Sequence, residues 1–332
     1  MASLNMAALA AALKQNVADY SMIYQEKLAN GFSIKQDPLF TVIPTVDQFP
    51  LVRDSTGAIM QPGRKGTVNF TNNFLTLNNR MGILRPFKVD LQLDEVTLYA
   101  WTKMYGSIRK GTDPKDIYSF AAMDYYMSRV MARMGRDTLN IVWDGVYNAA
   151  GTGVVDIADG FKLLFAQGYA TSGTGWVGDI PAANMTTAAA SITQANVLSE
   201  INNLVLAIVA NVDVPTEEDA QLCLDPTTFV YLQNAMSSAL SNGQAIVTQT
   251  NGEYRLAALP NTKVVAKKWL KTAGKMFWTL NGNLVVITPE VPETVDAPSL
   301  SIEHVSRTIN IFLDGEFGLN YIDGRYIYMN SK

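Results

Sequence analysis

The chain has 332 residues, of which 48% are hydrophobic and 17% charged, with a formal net charge of −4. That balance excludes a disordered chain and gives no global attraction to nucleic acid or to an anionic membrane. One cysteine, Cys223, and one histidine, His304, exclude an intramolecular disulfide framework and a multi-cysteine metal site.

The opening MASLNMAALAAALKQ is Ala-rich and apolar, but no cation precedes Lys14, so it reads as an N-terminal helix and not as a secretory signal. The apolar run 204-LVLAIVA-210 is far below the length of about 20 residues that a membrane span requires. A cytoplasm-like compartment and no membrane contact are expected.

Along 51–93, Val68 and Phe70 alternate with polar neighbours, and so do Phe87, Val89, Leu91 and Leu93. This predicts two extended strands, with Gly57, Gly63 and Gly66 favouring a long loop or arm. A two-stranded hairpin is marginal in water, so such an arm needs a surface to lie on. Residues 51–88 hold Arg53, Arg64, Lys65, Arg80, Arg85 and Lys88 against the single acid Asp54, a local net of +5 that leaves −9 for the rest. Either these are ordinary solvated charges, or a basic arm and an acidic body attract each other between copies.

The next element is a rod. Met127, Val130, Met131, Met134, Thr138, Ile141 and Val142 fall at steps of three and four, with Arg129, Arg133, Arg136 and Asp137 on the other side. Asp113 as N-cap, Pro114 at the first position and the break at 150-AGTG-153 predict a helix over 114–149, about 50 Å long. A coiled-coil seam would need a sustained heptad; this methionine-rich face suits packing across a sheet.

Residues 151–192 are rich in Gly, Ala, Thr and Ser and read as loops with short strands. A helix follows over 193–212, a short strand over 220–225, and a helix over 226–240 capped by Asp225 with Pro226 at its first position. Strands are predicted over 262–270, 275–280 and 284–290, with Asn281-Gly282 as a hairpin turn. Residues 308–329 contain two Asp-Gly pairs, the signal of an antiparallel meander.

Chemistry is sparse. The stretch 173-GTGWVG-178 matches G-x-G-x-x-G, but no apolar strand precedes it and Pro181 blocks an early helix, so a loop explains the glycines. His304 fits an alternating strand, Cys223 a buried strand, and Glu217, Glu218 and Asp219 a solvated turn. No catalytic residue, cofactor site or metal site is selected, and no enzyme activity is expected.

This order of parts, namely N-terminal arm, basic hairpin, long helix, mixed α/β unit and closing strands, resembles the major capsid protein of tailed bacteriophages, the Hong Kong 97-type fold. The resemblance covers roughly residues 45–330 and includes 220-AQLCLDPTTFVYLQNAM-236 and the later 259-LP-260. It implies an α+β fold with an N-terminal arm (1–46), an extended loop (47–95), a peripheral domain with the spine helix (96–150), an axial domain (151–300) and a C-terminal meander returning to the peripheral domain (301–332).

It further implies self-assembly through pentamers and hexamers into an icosahedral shell enclosing double-stranded DNA, in the virion and, before assembly, in the host cytoplasm. Portal and scaffolding or decoration proteins are the other partners expected, with weak non-specific DNA contact. Arg53, Arg64, Lys65, Arg80, Arg85 and Lys88 become inter-subunit contacts of the extended loop. Some relatives carry a cleaved N-terminal scaffolding domain; here only residues 1–46 precede the loop, so a separate scaffold or none is expected. Two alternatives remain: an encapsulin-like nanocompartment shell, and a small-ligand enzyme using residues 173–178.

Overall fold

A computed structural model of the chain describes residues 6–19, 37–56, 75–97, 100, 103–104, 120–172, 177–211, 213–239, 246–250, 252–289, 300–305 and 308–332. It divides into two compact units: residues 1–37, 84–160 and 288–318 form the first, and residues 38–83, 161–287 and 319–332 the second.

The first unit contains helix α1 (Met6–Asp19), strand β4 (Arg85–Asp94), helix α2 (Phe120–Asp144), strand β12 (Leu300–Val305) and most of strand β13 (Thr308–Tyr321). β13 pairs antiparallel with β12 on one side and with β4 on the other, placing Leu93 opposite Ile309, Leu91 opposite Ile311 and Val89 opposite Leu313. The period-two alternation of β4 therefore makes one apolar face. Onto that face pack Leu9, Ala10 and Leu13 of α1 and Tyr126, Met127 and Met131 of α2. The rod does lie against a sheet, as its methionine-rich face predicts.

α2 ends at Asp144, five residues short of the predicted stop. Gly145 turns the chain so that residues 146–148 bond back to residues 155–156 through Val146 N–H to Val155 O and Asn148 N–H to Asp156 O. Gly160 N–H then donates to Gly145 O at 2.9 Å. A Cβ on Gly145 would lie 2.2 Å from Ala158 O, and one on Gly160 would lie 2.6 Å from Ile141 O, so the crossing requires glycine at both places. The predicted cap Asp113 and first position Pro114 lie outside the described residues.

The second unit is built on a seven-stranded sheet. Its strands are β5 (Met185–Thr186), β14 (Tyr328–Asn330), β10 (Met276–Leu280), β6 (Ala220–Leu224), β9 (Thr262–Ala266), β8 (Glu253–Leu256) and β7 (Val247–Thr250), in that spatial order. Every residue of β6 and β10 is buried, because both faces of the sheet are covered. Helices α4 (Val197–Val209) and α5 (Pro226–Ala239) cover one face, where Ile201, Leu204 and Leu232 meet Leu222, Val264, Met276 and Trp278. On the other face Phe277 meets Phe165 of helix α3 (Phe161–Tyr169) at a centroid distance of 5.4 Å, with Trp269 beside it at 5.9 Å. Cys223 is fully buried in β6. Asp225 caps α5, its carboxylate accepting from Thr227 and Thr228 N–H at 3.0 and 3.2 Å.

Three turn and pairing expectations are corrected. Asn281-Gly282 does turn the chain, with Gly282 at φ +77°, but the strands it joins are not a hairpin. β10 stays in the seven-stranded sheet, while β11 (Leu284–Pro289) pairs with β1 (Phe40–Thr45). A fully buried β10 and a β11 buried over residues 284–287, each with other neighbours, outcompete the local turn signal. Asp314-Gly315 makes no turn: β13 runs through it, and Gly315 stands opposite Phe87, where a Cβ would come within 2.6 Å of the ring. The ring sits over the glycine, so the residue serves strand packing instead of a reversal. The strand over 87–93, finally, is not a hairpin leg, and the two strands that do pair as a ribbon are others. They are β2 (Gln48–Thr56) and β3 (Leu75–Ile83), paired from Gln48 opposite Ile83 to Thr56 opposite Leu75. Val68 and Phe70 lie outside the described residues, and β4 pairs with β13.

Candidate functional site: the root of the arm

The β2–β3 ribbon is joined to the rest of the second unit by charge. Leu51 stands opposite Arg80, and Arg53, two residues on, shares that face, since side chains two apart in a strand point the same way. Leu51 is 4% exposed and Arg80 5%, so this face of the ribbon is buried at its root.

Asp179 receives both arginines. Arg53 Nη1 donates to Asp179 Oδ1 at 2.5 Å and to Asp179 O at 3.2 Å, while Arg80 Nη1 donates to Asp179 Oδ2. Arg80 Nη2 donates to the carbonyls of Tyr321 and Ile322, and its guanidinium lies 4.2 Å from the centroid of the Tyr321 ring. Asp323 extends the cluster: its Oδ1 is 4.0 Å from Arg53 Nη1, and Arg325 pairs with its Oδ2 at 2.5 Å. Asn283 fixes the Asp323 backbone in both directions, accepting from its N–H at 2.9 Å and donating to its carbonyl at 3.0 Å.

Local chain geometry delivers the acid. Gly178 at φ +74° and its N–H bond to Ala170 O place Asp179 after the turn, and Ile180 N–H bonds to Gly168 O. Gly324 leaves the space: a Cβ there would lie 2.5 Å from Asp179 Oδ2. Burial pulls the Arg80 pKa down and Asp179 opposes it. Burial, helped by Asp179, pushes the Tyr321 phenol well above its ordinary range, so it stays neutral. A carboxylate holding one buried and one partly buried guanidinium that also bind carbonyls fixes orientation; it offers no open position for a substrate.

The six basic residues of the predicted contact set therefore separate. Arg53 and Arg80 are engaged within the subunit at the ribbon root. Arg85 and Lys88 belong to β4 in the other unit, where Arg85 stacks 3.9 Å above the Tyr147 ring and Lys88, 73% exposed, pairs with Asp90 at 2.7 Å. Arg64 and Lys65 lie outside the described residues, as do residues 173–176 of the glycine-rich stretch. Sequence reasoning missed Asp179 and Asp323 as partners. The available signal was that Asp179 is one of only two charged residues between 163 and 212.

Elsewhere the first unit has an apolar slot of about 470 Å³ between α2 and β4, lined by Val89, Leu91, Met134 and Ile141. Its rim charges are engaged by neighbours, Lys88 with Asp90, Arg133 with Asp137 and Arg129 with the Tyr125 hydroxyl, so among the described residues no polar groups converge on a ligand there. His304 is exposed in β12. Among the described residues no group of three or more His, Cys, Asp or Glu is placed to hold a metal ion, and no helix is long and apolar enough to cross a membrane.

No family model and no curated protein matches the sequence. Solved structures do match. A chain of the satellite phage P4 procapsid superposes with a TM-score of 0.55 at 14% identity, covering 92% of this chain and 98% of that one. A capsid chain of an empty GTA particle gives 0.51 at 11% identity over 90% and 94%, and the capsid of Myoviridae phage XM1 gives 0.50 at 11% over 90% and 91%. The similarity covers nine-tenths or more of this chain in each case. The chain has the α+β Hong Kong 97-type fold of tailed-bacteriophage major capsid proteins.

Proposed function

We propose that this chain is a major capsid protein that assembles through pentamers and hexamers into an icosahedral shell enclosing phage double-stranded DNA. The observation that carries the reading is the shared fold over about nine-tenths of this chain and of the capsid chains it superposes on. The rooted ribbon supports it: two strands without a core of their own are held at their base and need a neighbour farther out.

In this reading the unit built on α2 is the peripheral domain and the unit built on the seven-stranded sheet is the axial domain. The ribbon lies over the next subunit with Arg64 and Lys65 as its contacts, Arg85 and Lys88 add to the contact from β4, and Arg53 and Arg80 hold the ribbon's base. Portal and scaffolding or decoration proteins are the further partners, and packaged DNA is met by weak non-specific contact. The protein acts in the virion, after synthesis in the host cytoplasm, and performs no catalysis.

The test is the particle mass of the purified chain, by light scattering with electron microscopy of the same fraction. Rings of five or six, or closed shells of megadalton mass, are expected. A chain that remains monomeric at every concentration, and also when co-expressed with its neighbouring genes, overturns the reading.

A further inference from the structure

The first unit carries opposite charge on its sheet and on its helices. Leu93, Leu91 and Val89 of β4 point at the helices, so Asp94, Asp90 and Lys88 point the other way, and the register puts Glu303, Asp314 and Glu316 on that same outer face. Asp90, Asp94, Glu303 and Asp314 are exposed, and among the described residues of these three strands Lys88 is the one cation beside them. The helical side is the reverse. α2 exposes Arg129, Arg133 and Arg136 in one row at steps of four and three, and α1 exposes Lys14. The acids that follow the row, Asp137 and Asp144, are half-buried.

Like charges three and four apart on a helix repel one another, and among the described residues the row has one carboxylate partner, Asp137 with Arg133 at 3.1 Å. Arg129 gives an N–H to the Tyr125 hydroxyl at 2.9 Å and Arg136 one to Ala132 O at 3.2 Å, which leaves most of the five N–H groups of each guanidinium for a partner outside. The spacing suits a polyanion. From Arg129 to Arg136 is about 10 Å along the helix. Over that length one strand of duplex DNA presents about three phosphates. Arginine binds phosphate oxygens in pairs, and the short side chains of Ser128 and Ala132, exposed beside the row, leave room for the backbone to approach. An anionic membrane does not fit: a helix lying in the interface needs a free apolar face, and that of α2 is spent on the sheet.

The charge of the whole chain makes this unit directional. At −4 the chain repels DNA overall, and the acidic sheet face does so locally, so the helical side is the one on which this unit accepts a duplex. We infer that Arg129, Arg133 and Arg136 of α2 meet the phosphates of packaged DNA, and that the acidic face of β4, β13 and β12 is turned away from it, toward the outside of the shell. The inference rests on the shell reading and assigns residues to the DNA contact within it. Phosphate contacts carry no sequence information, so the contact is non-specific.

The experiment titrates salt against binding of a short labelled DNA duplex to the full-length chain, held below the concentration at which it assembles. Each phosphate contact contributes about 0.9 to the slope of log affinity on log salt. Arg129→Gln combined with Arg136→Gln keeps the Arg133–Asp137 pair; it should lower that slope by about 1.8 and the low-salt affinity by about ten-fold or more, with particles and melting temperature as in wild type. Arg255→Gln combined with Lys263→Gln removes as much charge from partly exposed sites of the second unit and should leave the slope unchanged. Equal slopes for wild type and the α2 variant, or an equal loss in the control, overturn this inference alone. Poly-glutamate bound as tightly as the duplex overturns it too, and makes the partner an acidic protein. Closed wild-type shells should not bind added duplex; shells that do bind it carry the arginines outside, and packaged DNA is then not their partner. A wild-type chain that forms no particle overturns the shell reading, and this inference with it. If the double variant unfolds, Arg129→Gln and Arg136→Gln are read singly, each expected to lower the slope by about 0.9.

Discussion

The Arg80 guanidinium stacks 4.2 Å from the centre of the Tyr321 ring while its two terminal nitrogens bind Asp179 and the carbonyls of Tyr321 and Ile322. One arginine thus joins the second leg of the ribbon to the last strand turn of the unit it grows from. Arg80 is 5% exposed and the Asp179 side chain 9%, so removing one partner leaves a charge buried and unpaired. Such a loss costs about 3–5 kcal/mol. Asp179→Ala should lower the denaturation midpoint by that order and expose residues 48–83 to proteolysis before the rest of the unit. Asp179→Asn, which keeps the shape and some hydrogen bonds, should lose less. Equal midpoints for wild type and Asp179→Ala would sink the anchoring role.

The crossing of Gly145 and Gly160 makes a sharper steric claim. A methyl on Gly160 meets Ile141 O, Trp143 O and Gly145 N within 2.8 Å, all of them backbone atoms that cannot step aside. Gly160→Ala should therefore destabilise by about 1–3 kcal/mol or more, lowering the melting temperature by several degrees. Gly252→Ala gives the contrast: nothing lies within 4 Å of its Cβ, so only its φ of +82° opposes the change. Its loss should be near the lower end, about 1 kcal/mol. A Gly160→Ala protein no less stable than Gly252→Ala would show that the α2 terminus relaxes freely.

What the sequence made legible follows the range of the interactions. Helical periodicity found α2, α4 and α5, the Asp225 cap was readable from Asp-Pro, and the alternation of Phe87, Val89, Leu91 and Leu93 announced β4. Partner choice was not readable. The β2–β3 ribbon carries no clean alternation, because Leu51, Arg53 and Arg80 share one of its faces at the root and two of these three are charged. Asp314-Gly315 and Asn281-Gly282 look alike in sequence, yet one lies inside a strand and the other at a corner between sheets. That difference is decided by Phe87 and by Pro38 and Leu39, whose carbonyls accept from Gly282 and Leu284 N–H. The root cluster joins residues separated by more than 240 positions, and its only trace was a lone acid in an uncharged stretch.

Lys275 gives a prediction in pH. Its side chain is 6% exposed, Nζ donates to Asn330 O at 2.6 Å, and burial lowers its pKa from 10.5 to about 8. Between those values the unfolded chain holds a proton that the folded chain has released, so stability rises as pH increases from about 8 to 10.5. Below about 8 both states are protonated and the penalty of the buried charge is present in full, on the order of 3 kcal/mol. Lys275→Met should remove that rise, and urea midpoints of the two proteins should diverge at pH 7 and converge toward pH 10.5. Parallel pH profiles would rule out Lys275 as the source of the rise.

Arg64 and Lys65 carry the last prediction. Residues 51–88 sum to +5 while the remainder of the chain sums to −9. Arg53 and Arg80 are committed to Asp179, and Lys88 pairs with Asp90, so the test of an attraction to an acidic neighbour is placed on this dipeptide. An attraction between exposed charges falls off within a Debye length of about 8 Å at physiological salt. Assembly of the wild type should therefore slow as salt is raised, and Arg64→Glu combined with Lys65→Glu should impair assembly without moving the melting temperature of the subunit. Salt and mutation should not add, since both remove the same contact. If the double variant assembles normally, Arg64 and Lys65 are solvated charges, and the arm is held on its neighbour by its apolar and backbone groups instead.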